Sequence, residues 1–379
     1  MTMKKFMKKL LSFALAVIMV LGIATFGSSA KGVFADDAYA TVVTASDFQH
    51  WGTDAYDLFG NILNLAITQG LPKPDSMLVG GDYTMVLLDN AVPGISRIRN
   101  TYLNAFPEAD PASVVCIQGN HDNSKDEFAE TGFYNMGKYC LYAINENDFP
   151  WKQSQKKDDG VKAVAADIEK NLDNMIKTGD KRPVIVITHV PLHHTGRNNY
   201  GDNMYASYIF NVLNEKAKKL DIIFLFGHNH SSEYDDYIGG SVNFMAPGEK
   251  IRIPFADKKG EDCYTEETLN FTYTNCGYIG YSDNNVTETS TNVLTLGFIQ
   301  FTPDKLRFIK MCEYGAVSVK EVNKVNKGTS VEAPEYPALD DTCLCHTDNP
   351  FLKVLWKVFI FWCKVFNTNR FCVCGEYHY

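Results

Sequence analysis

Positive charge is scarce in this chain. Its 379 residues hold 36 Lys and Arg against 45 Asp and Glu, a formal net charge of −9. Five of the Lys and none of the acids lie in residues 1–35, so the chain without that segment carries −14. Proteins bind long nucleic acids largely by neutralising phosphates, so no long nucleic acid is expected as a partner. Bound cations would offset the charge locally, which keeps small anionic substrates open. No His-Glu-x-x-His occurs, which removes support for a zincin-type protease, and no internal repeat is evident. Cysteines at metal-ligand spacing are missing from the body of the chain, where Cys140, Cys263, Cys276, Cys312 and Cys363 are scattered. Cys116 sits in an apolar run and reads as a buried thiol. Cys263 and Cys276 are a candidate disulfide.

The N-terminus has the layout of a secretory signal peptide. Lys4, Lys5, Lys8 and Lys9 precede an apolar run over residues 10–26, and Val33-Phe34-Ala35 stands before Asp36-Asp37. The alternative is a membrane anchor that stays in place. Cleavage after Ala35 is favoured by the polar sequence beyond it, and no nearby Cys offers a lipoprotein anchor. The expected location is therefore secreted or at the cell surface.

Beyond residue 35, short apolar runs alternate with segments of helical spacing. Residues 54–69 place Leu58, Ile62, Leu65 and Ala66 on one face, and residues 86–106 form a second helical region interrupted at Pro93-Gly94. Residues 162–177 and 203–219 repeat the pattern. This alternation argues an α/β core. From about Tyr237 strands predominate, over residues 242–245, 269–276, 293–301 and 305–311, with a hairpin connection at Thr302-Pro303-Asp304. This second half is expected to form a further sheet packed on the first. The catalytic domain is expected over residues 36–326, a linker over 327–342 and a separate module over 343–379.

Five strand-like runs, at residues 41–45, 76–79, 113–117, 184–187 and 222–226, each end in polar residues able to bind metal. The ends read Asp47-Phe48-Gln49, Gly81-Asp82, Gly119-Asn120-His121-Asp122, His189 and Gly227-His228-Asn229-His230. In α/β sheets such ends form ligand-binding rims. Asp47 and Asp82 offer anionic oxygens, Gln49 and Asn120 amide oxygens, and His189, His228 and His230 imidazole nitrogens. Any one motif is most simply a turn or an ordinary loop. Their order, each behind a strand, points to a pair of divalent cations. On an extended segment His228 and His230 would project the same way and reach adjacent ions.

These motifs resemble the calcineurin-like metallophosphoesterase superfamily, over about residues 40–312. The resemblance implies an α/β (α+β) fold, a four-layer αββα sandwich with two mixed β-sheets. It implies a dinuclear centre with a bridging hydroxide that hydrolyses a phosphate mono- or diester. Asp47, Asp82 and His230 would hold one metal, Asp82 would bridge, and Asn120, His189 and His228 would complete the other site. His121 would face the substrate and protonate the leaving group, with Asp122 orienting it. The metals would be Mn, Fe, Zn or Mg. Gln49 stands where the family has His; as an amide ligand it would make the first site harder, favouring Mn²⁺ or Mg²⁺. Met85 stands where the purple acid phosphatases carry an iron-binding Tyr, which disfavours that branch. An alternative is a non-catalytic surface-binding protein on a degenerate scaffold, with Gln49 as the lesion. His193 and Arg197, just beyond His189, are candidate phosphate contacts.

At the C-terminus Cys343, Cys345, His346, Cys372, Cys374 and His378 flank an aromatic-rich run. They could hold a structural Zn²⁺ in a small helical Cys/His module, or form two disulfides. Lys353, Lys357 and Lys364 share one helical face, so this helix could meet a membrane surface, a partner or the catalytic domain.

Overall fold

Strand β1 (Ala40–Ala45) reads ATVVTA and is buried along its whole length. Its β-branched residues favour extended backbone, and burial on both faces explains why polar residues do not alternate along it. Val42 points to one core and Val43 and Ala45 to another, as strand geometry requires. Each face of this sheet therefore needs its own cover.

The computed structural model describes residues 32–49, 55–83, 92–122, 128–149, 158–192, 206–230, 242–254, 264–280 and 294–325. β2 (Ser76–Val79) and β3 (Val114–Cys116) continue from β1 as parallel neighbours. On the other side of β1 lie β13 (Thr295–Phe301), β14 (Lys305–Cys312) and β15 (Gly315–Asn323), each antiparallel to the last. Short β12 (Gly277–Tyr278) also pairs with β13. The second sheet has the order β4 (Gly132–Asn135), β5 (Cys140–Ile144), β6 (Val184–Thr188), β7 (Ile222–Phe226), β11 (Thr272–Asn275) and β8 (Phe244–Met245). β9 (Lys250–Pro254) and β10 (Tyr264–Thr268) form a separate two-stranded ribbon.

Leu78, Val115 and Phe308 of the first sheet meet Leu141, Ile185 and Leu225 of the second in a shared core. Helices α1 (Ala55–Thr68) and α2 (Val92–Ala105) cover the outer face of the first sheet through Phe59, Ile62, Ile98 and Tyr102. Helices α3 (Asp158–Thr178) and α4 (Ala206–Lys216) cover the second through Ile168, Leu172, Ile209 and Leu213. The result is the four-layer αββα sandwich.

Several expectations need correction. The second half of the chain does not make its own sheet: β13 pairs directly with β1, so both chain halves build the first sheet. Of the helical region expected over residues 86–106, the described part is α2, with Pro93 near its start, and residues 86–91 lie outside the described residues. Cys276 is a free, buried thiol rather than a partner of Cys263. Residues 33–35 pack on the first sheet. Phe34 is buried edge-on against Phe298, the Ala35 N–H donates to Gln300 Oε1 at 2.8 Å, and Arg307 Nη2 donates to the Val33 carbonyl at 3.0 Å. The apolar run at residues 10–26, the linker, the 343–379 module, His193 and Arg197 lie outside the described residues. Among the described residues, no helix is long and apolar enough to cross a membrane.

Candidate metal centre

The ends of β1 and β2 lie side by side, with Ala45 opposite Val79, and those of β6 and β7 likewise, with Thr188 opposite Phe226. Asp47 and Asp82 thus leave one sheet together, while His189 and His228 leave the other facing them. Backbone bonds continue past the strands: Asp47 N–H donates to Gly81 O at 3.0 Å and Gly227 N–H to His189 O at 3.0 Å. Among the described residues, the non-glycine positions with positive φ are Asp47, Asp82, His228 and His230, at 51–66°. Such backbone carries a cost for ordinary side chains, and it recurs where function demands a fixed direction. The segment after β7 is therefore not extended, contrary to expectation. It turns tightly at His228, with Asn229 N–H donating to Gly227 O at 2.7 Å, which sends the two imidazoles to different neighbours.

Those neighbours define two adjoining clusters. His189 Nε2 lies 2.8 Å from Asn120 Oδ1 and 3.2 Å from Asp82 Oδ2. His228 Nδ1 lies 2.8 Å from the same Asn120 oxygen and 3.3 Å from His189 Nε2. On the other side His230 Nε2 approaches Asp47 Oδ1 at 3.2 Å, and His228 N–H donates to the Asp47 carboxylate at 3.0 Å. Asp47, Asp82 and His189 each present a ligand atom within 4.8 Å of the others, all buried. A carbonyl can only accept, so the 2.7 Å contact of His189 Nδ1 with Gly80 O puts a proton on Nδ1 and turns Nε2 to the cluster.

Two buried carboxylates need positive charge. Burial alone would raise the Asp47 pKa, but the hydrogen bond and charge of His230, with the charge of His189, hold it well below the usual carboxylate range. Asp82 is likewise lowered against its own burial, chiefly by His189. Burial opposes charge on His189, yet Asp82 and Asp47 push it up to about 10. Burial and the charged His189 push His228 down to about 3. A proton on His189 thus stands where the oxygen and nitrogen donors would otherwise close around a cation. The donor set fits divalent metal: carboxylate, amide and imidazole groups converge, with one histidine tautomer fixed from behind.

The calcineurin-like phosphoesterase family model matches residues 40–232. The chain belongs to the calcineurin-like phosphoesterase family. No curated protein sequence matches it. Among solved structures, a dimetal phosphatase from Danio rerio is 11% identical, covering 76% of this chain and 100% of its own, with a TM-score of 0.46. A predicted phosphoesterase from Streptococcus pneumoniae (11% identity, 75% and 97%, TM-score 0.33) and a Vps29 mutant from Entamoeba histolytica (12%, 75% and 98%, 0.33) are similar more distantly.

Around this calcineurin-like centre, glycines permit the close approach. A Cβ on Gly119 would sit 2.2 Å from Asp82 Oδ1, and one on Gly227 would sit 2.1 Å from Ser46 Oγ. Asp122 accepts from the backbone N–H groups of Asp82, Tyr83 and Gly119 at 2.8–2.9 Å. Its oxygens clamp the loop after β2 to the loop after β3 and so brace both. Burial and the charge of Asp82 push its pKa up to about 7, against the Gly119 and Tyr83 N–H bonds. The His121 N–H donates to Asp82 Oδ1 at 2.9 Å, which places that residue on the rim. Gln49 turns its amide Nε2–H, not its oxygen, to Asp82 Oδ2.

Three aromatic residues escaped the sequence reading. Phe48 stacks between Tyr56 and Tyr83, with centroids 5.4 and 6.5 Å away, and Tyr83 stacks on Phe128 at 5.8 Å. Through Phe48 and Tyr83, this column links both aspartate loops. Tyr278 stacks on His230, with centroids 4.8 Å apart and planes 11° from parallel. The available signal was position: Phe48 adjoins two candidate ligands and Tyr83 follows a third. Tyr278 carried no such signal, because it lies about fifty residues from His230 in sequence.

Proposed function

We propose that this protein is an exported phosphoesterase that hydrolyses a small phosphate mono- or diester at a pair of divalent cations. The observation that carries the proposal is the meeting of Asp47, Asp82, Asn120, His189, His228 and His230, from five strand ends, each within hydrogen-bonding distance of at least one other. Asp47, Gln49, Asp82 and His230 would hold one ion, and Asp82, Asn120, His189 and His228 the other. When bound, two divalent ions supply a nucleophilic hydroxide at neutral pH and polarise phosphoryl oxygens. The chain does the rest: Gly80 fixes the His189 tautomer, Asp122 braces the loops, and His121 gives a proton to the departing oxygen. Gln49 must turn its amide over to present an oxygen, which suits Mn²⁺ or Mg²⁺ better than Zn²⁺ at that position.

Export is supported by the charged, apolar, small-residue sequence of the first thirty or so residues. For the 343–379 module we propose either a Zn²⁺ knuckle or two disulfides, with its amphipathic helix at a surface; zinc content and thiol titration of the secreted protein distinguish them. The Gln49 bond to Asp82 favours one second reading, a scaffold that binds without turnover. A panel of aryl phosphate mono- and diesters, assayed after chelation and readdition of Mn²⁺, Zn²⁺, Fe²⁺ or Mg²⁺, separates the two. Metal-restored turnover supports the phosphoesterase, and none with any metal supports the binding scaffold.

A further inference from the structure

One buried amine has no part in the chemistry above. Lys310, on β14, is fully shielded from solvent, on the strand face that carries Leu306 and Phe308 into the core between the sheets. Burial pushes its amine down to about 7, against a smaller opposing effect of Cys276. Lysine is rarely placed there without a partner, so the partner is informative.

Its Nζ donates to the carbonyl of Asn275 at 2.8 Å. Asn275 ends β11, which pairs with β7 in the second sheet, whereas β12, starting at Gly277, pairs with β13 in the first. The chain therefore crosses between sheets at Cys276. Both carbonyls at the crossing are held by side chains, Asn275 by Lys310 and Cys276 by Thr44 Oγ1 at 2.8 Å. Beyond it the strand touches both sides of one metal position. Ile279 N–H donates to Ser46 O at 3.3 Å, just ahead of Asp47, and the Tyr278 ring lies flat on His230.

We infer that Lys310 is a positioning residue for the Asp47–His230 metal position: it pins the crossing so that Tyr278 holds the His230 imidazole against Asp47. The inference rests on the reading of Asp47 and His230 as ligands of one ion. The crossing also reaches β7, where Cys276 N–H donates to Phe226 O at 2.7 Å, but the ring it positions lies on His230, so the larger effect should fall on the Asp47–His230 ion.

Equilibrium dialysis of the metal-depleted full chain against Mn²⁺, with electron paramagnetic resonance of the bound ion, tests this. The wild type should bind two ions. Lys310→Met should weaken one ion by about 10–100-fold, the usual effect of losing an outer support, and the other by much less. Tyr278→Leu should show the same selective loss, and the double variant should lose no more than the larger single. Unchanged binding in either variant, or equal weakening of both ions with only a fall in Tm, overturns the inference. Should Lys310→Met fail to fold, Tyr278→Leu decides alone. A wild type that binds no Mn²⁺ removes the functional reading, and this inference with it.

Discussion

A cation bound at this centre would have to displace a proton from His189. In the metal-free protein Asp82 and Asp47 raise this imidazole to about 10, above its ordinary 6.5, whereas ligation requires its Nε2 lone pair. Metal uptake at pH 7–8 should release about one proton from His189, and affinity should climb about tenfold per pH unit until pH passes about 10. Calorimetric titration in buffers of different ionisation enthalpy measures that release; none at pH 7 would contradict the assignment of His189. His121 has a separate task, so His121→Ala should lower kcat by about 10²–10⁴-fold with little change in Mn²⁺ affinity. Asp82→Asn should lose both metal binding and turnover. That Asp47, Asp82, Asn120, His189, His228 and His230 lie near one another was legible in the sequence because each motif adjoins a strand. The Gln49 hydrogen bond and the Asp122 brace were not, because side-chain direction depends on left-handed backbone at Asp47 and Asp82 that no periodicity reveals.

At the scale of elements, the aromatic column explains why two short loops hold their aspartates. Phe48 is fully buried between Tyr56 of α1 and Tyr83 beyond β2. Phe48→Ala should cost about 3–5 kcal/mol of stability, read as a lower denaturation midpoint. It should also weaken Mn²⁺ binding, because Phe48 lies between Asp47 and Gln49. β2 and β7 occur where their apolar runs predict them, and α1 and α4 within a few residues. The expected strand over residues 269–276 is shorter, β11 at Thr272–Asn275, and the chain then changes sheets at Cys276 to begin β12. β15 was missed, since its partly exposed pattern gives no continuous apolar run.

At the scale of the molecule, both halves of the chain close the first sheet, and the N-terminal segment is stitched to it. A chain beginning at Asp36 loses Phe34 from the core and both hydrogen bonds at Val33 and Ala35, so it should be less stable than one beginning at Lys31 by about 2–3 kcal/mol. Equal urea midpoints for the two would remove Phe34 from the account of the core. Sheet membership was not legible because pairing of β1 with β13 joins residues far apart in sequence, whereas the layer order followed from the family resemblance. The two-sheet closure brings polar side chains from the ends of β1, β2, β3, β6 and β7 to one rim, and the central claim is that two cations sit there. Anomalous diffraction from Mn²⁺-soaked crystals tests it most directly. The account predicts two adjacent peaks, one against Asp47 and His230, one against Asn120, His189 and His228, with Asp82 between them; a rim without anomalous density, or peaks remote from these side chains, would contradict it.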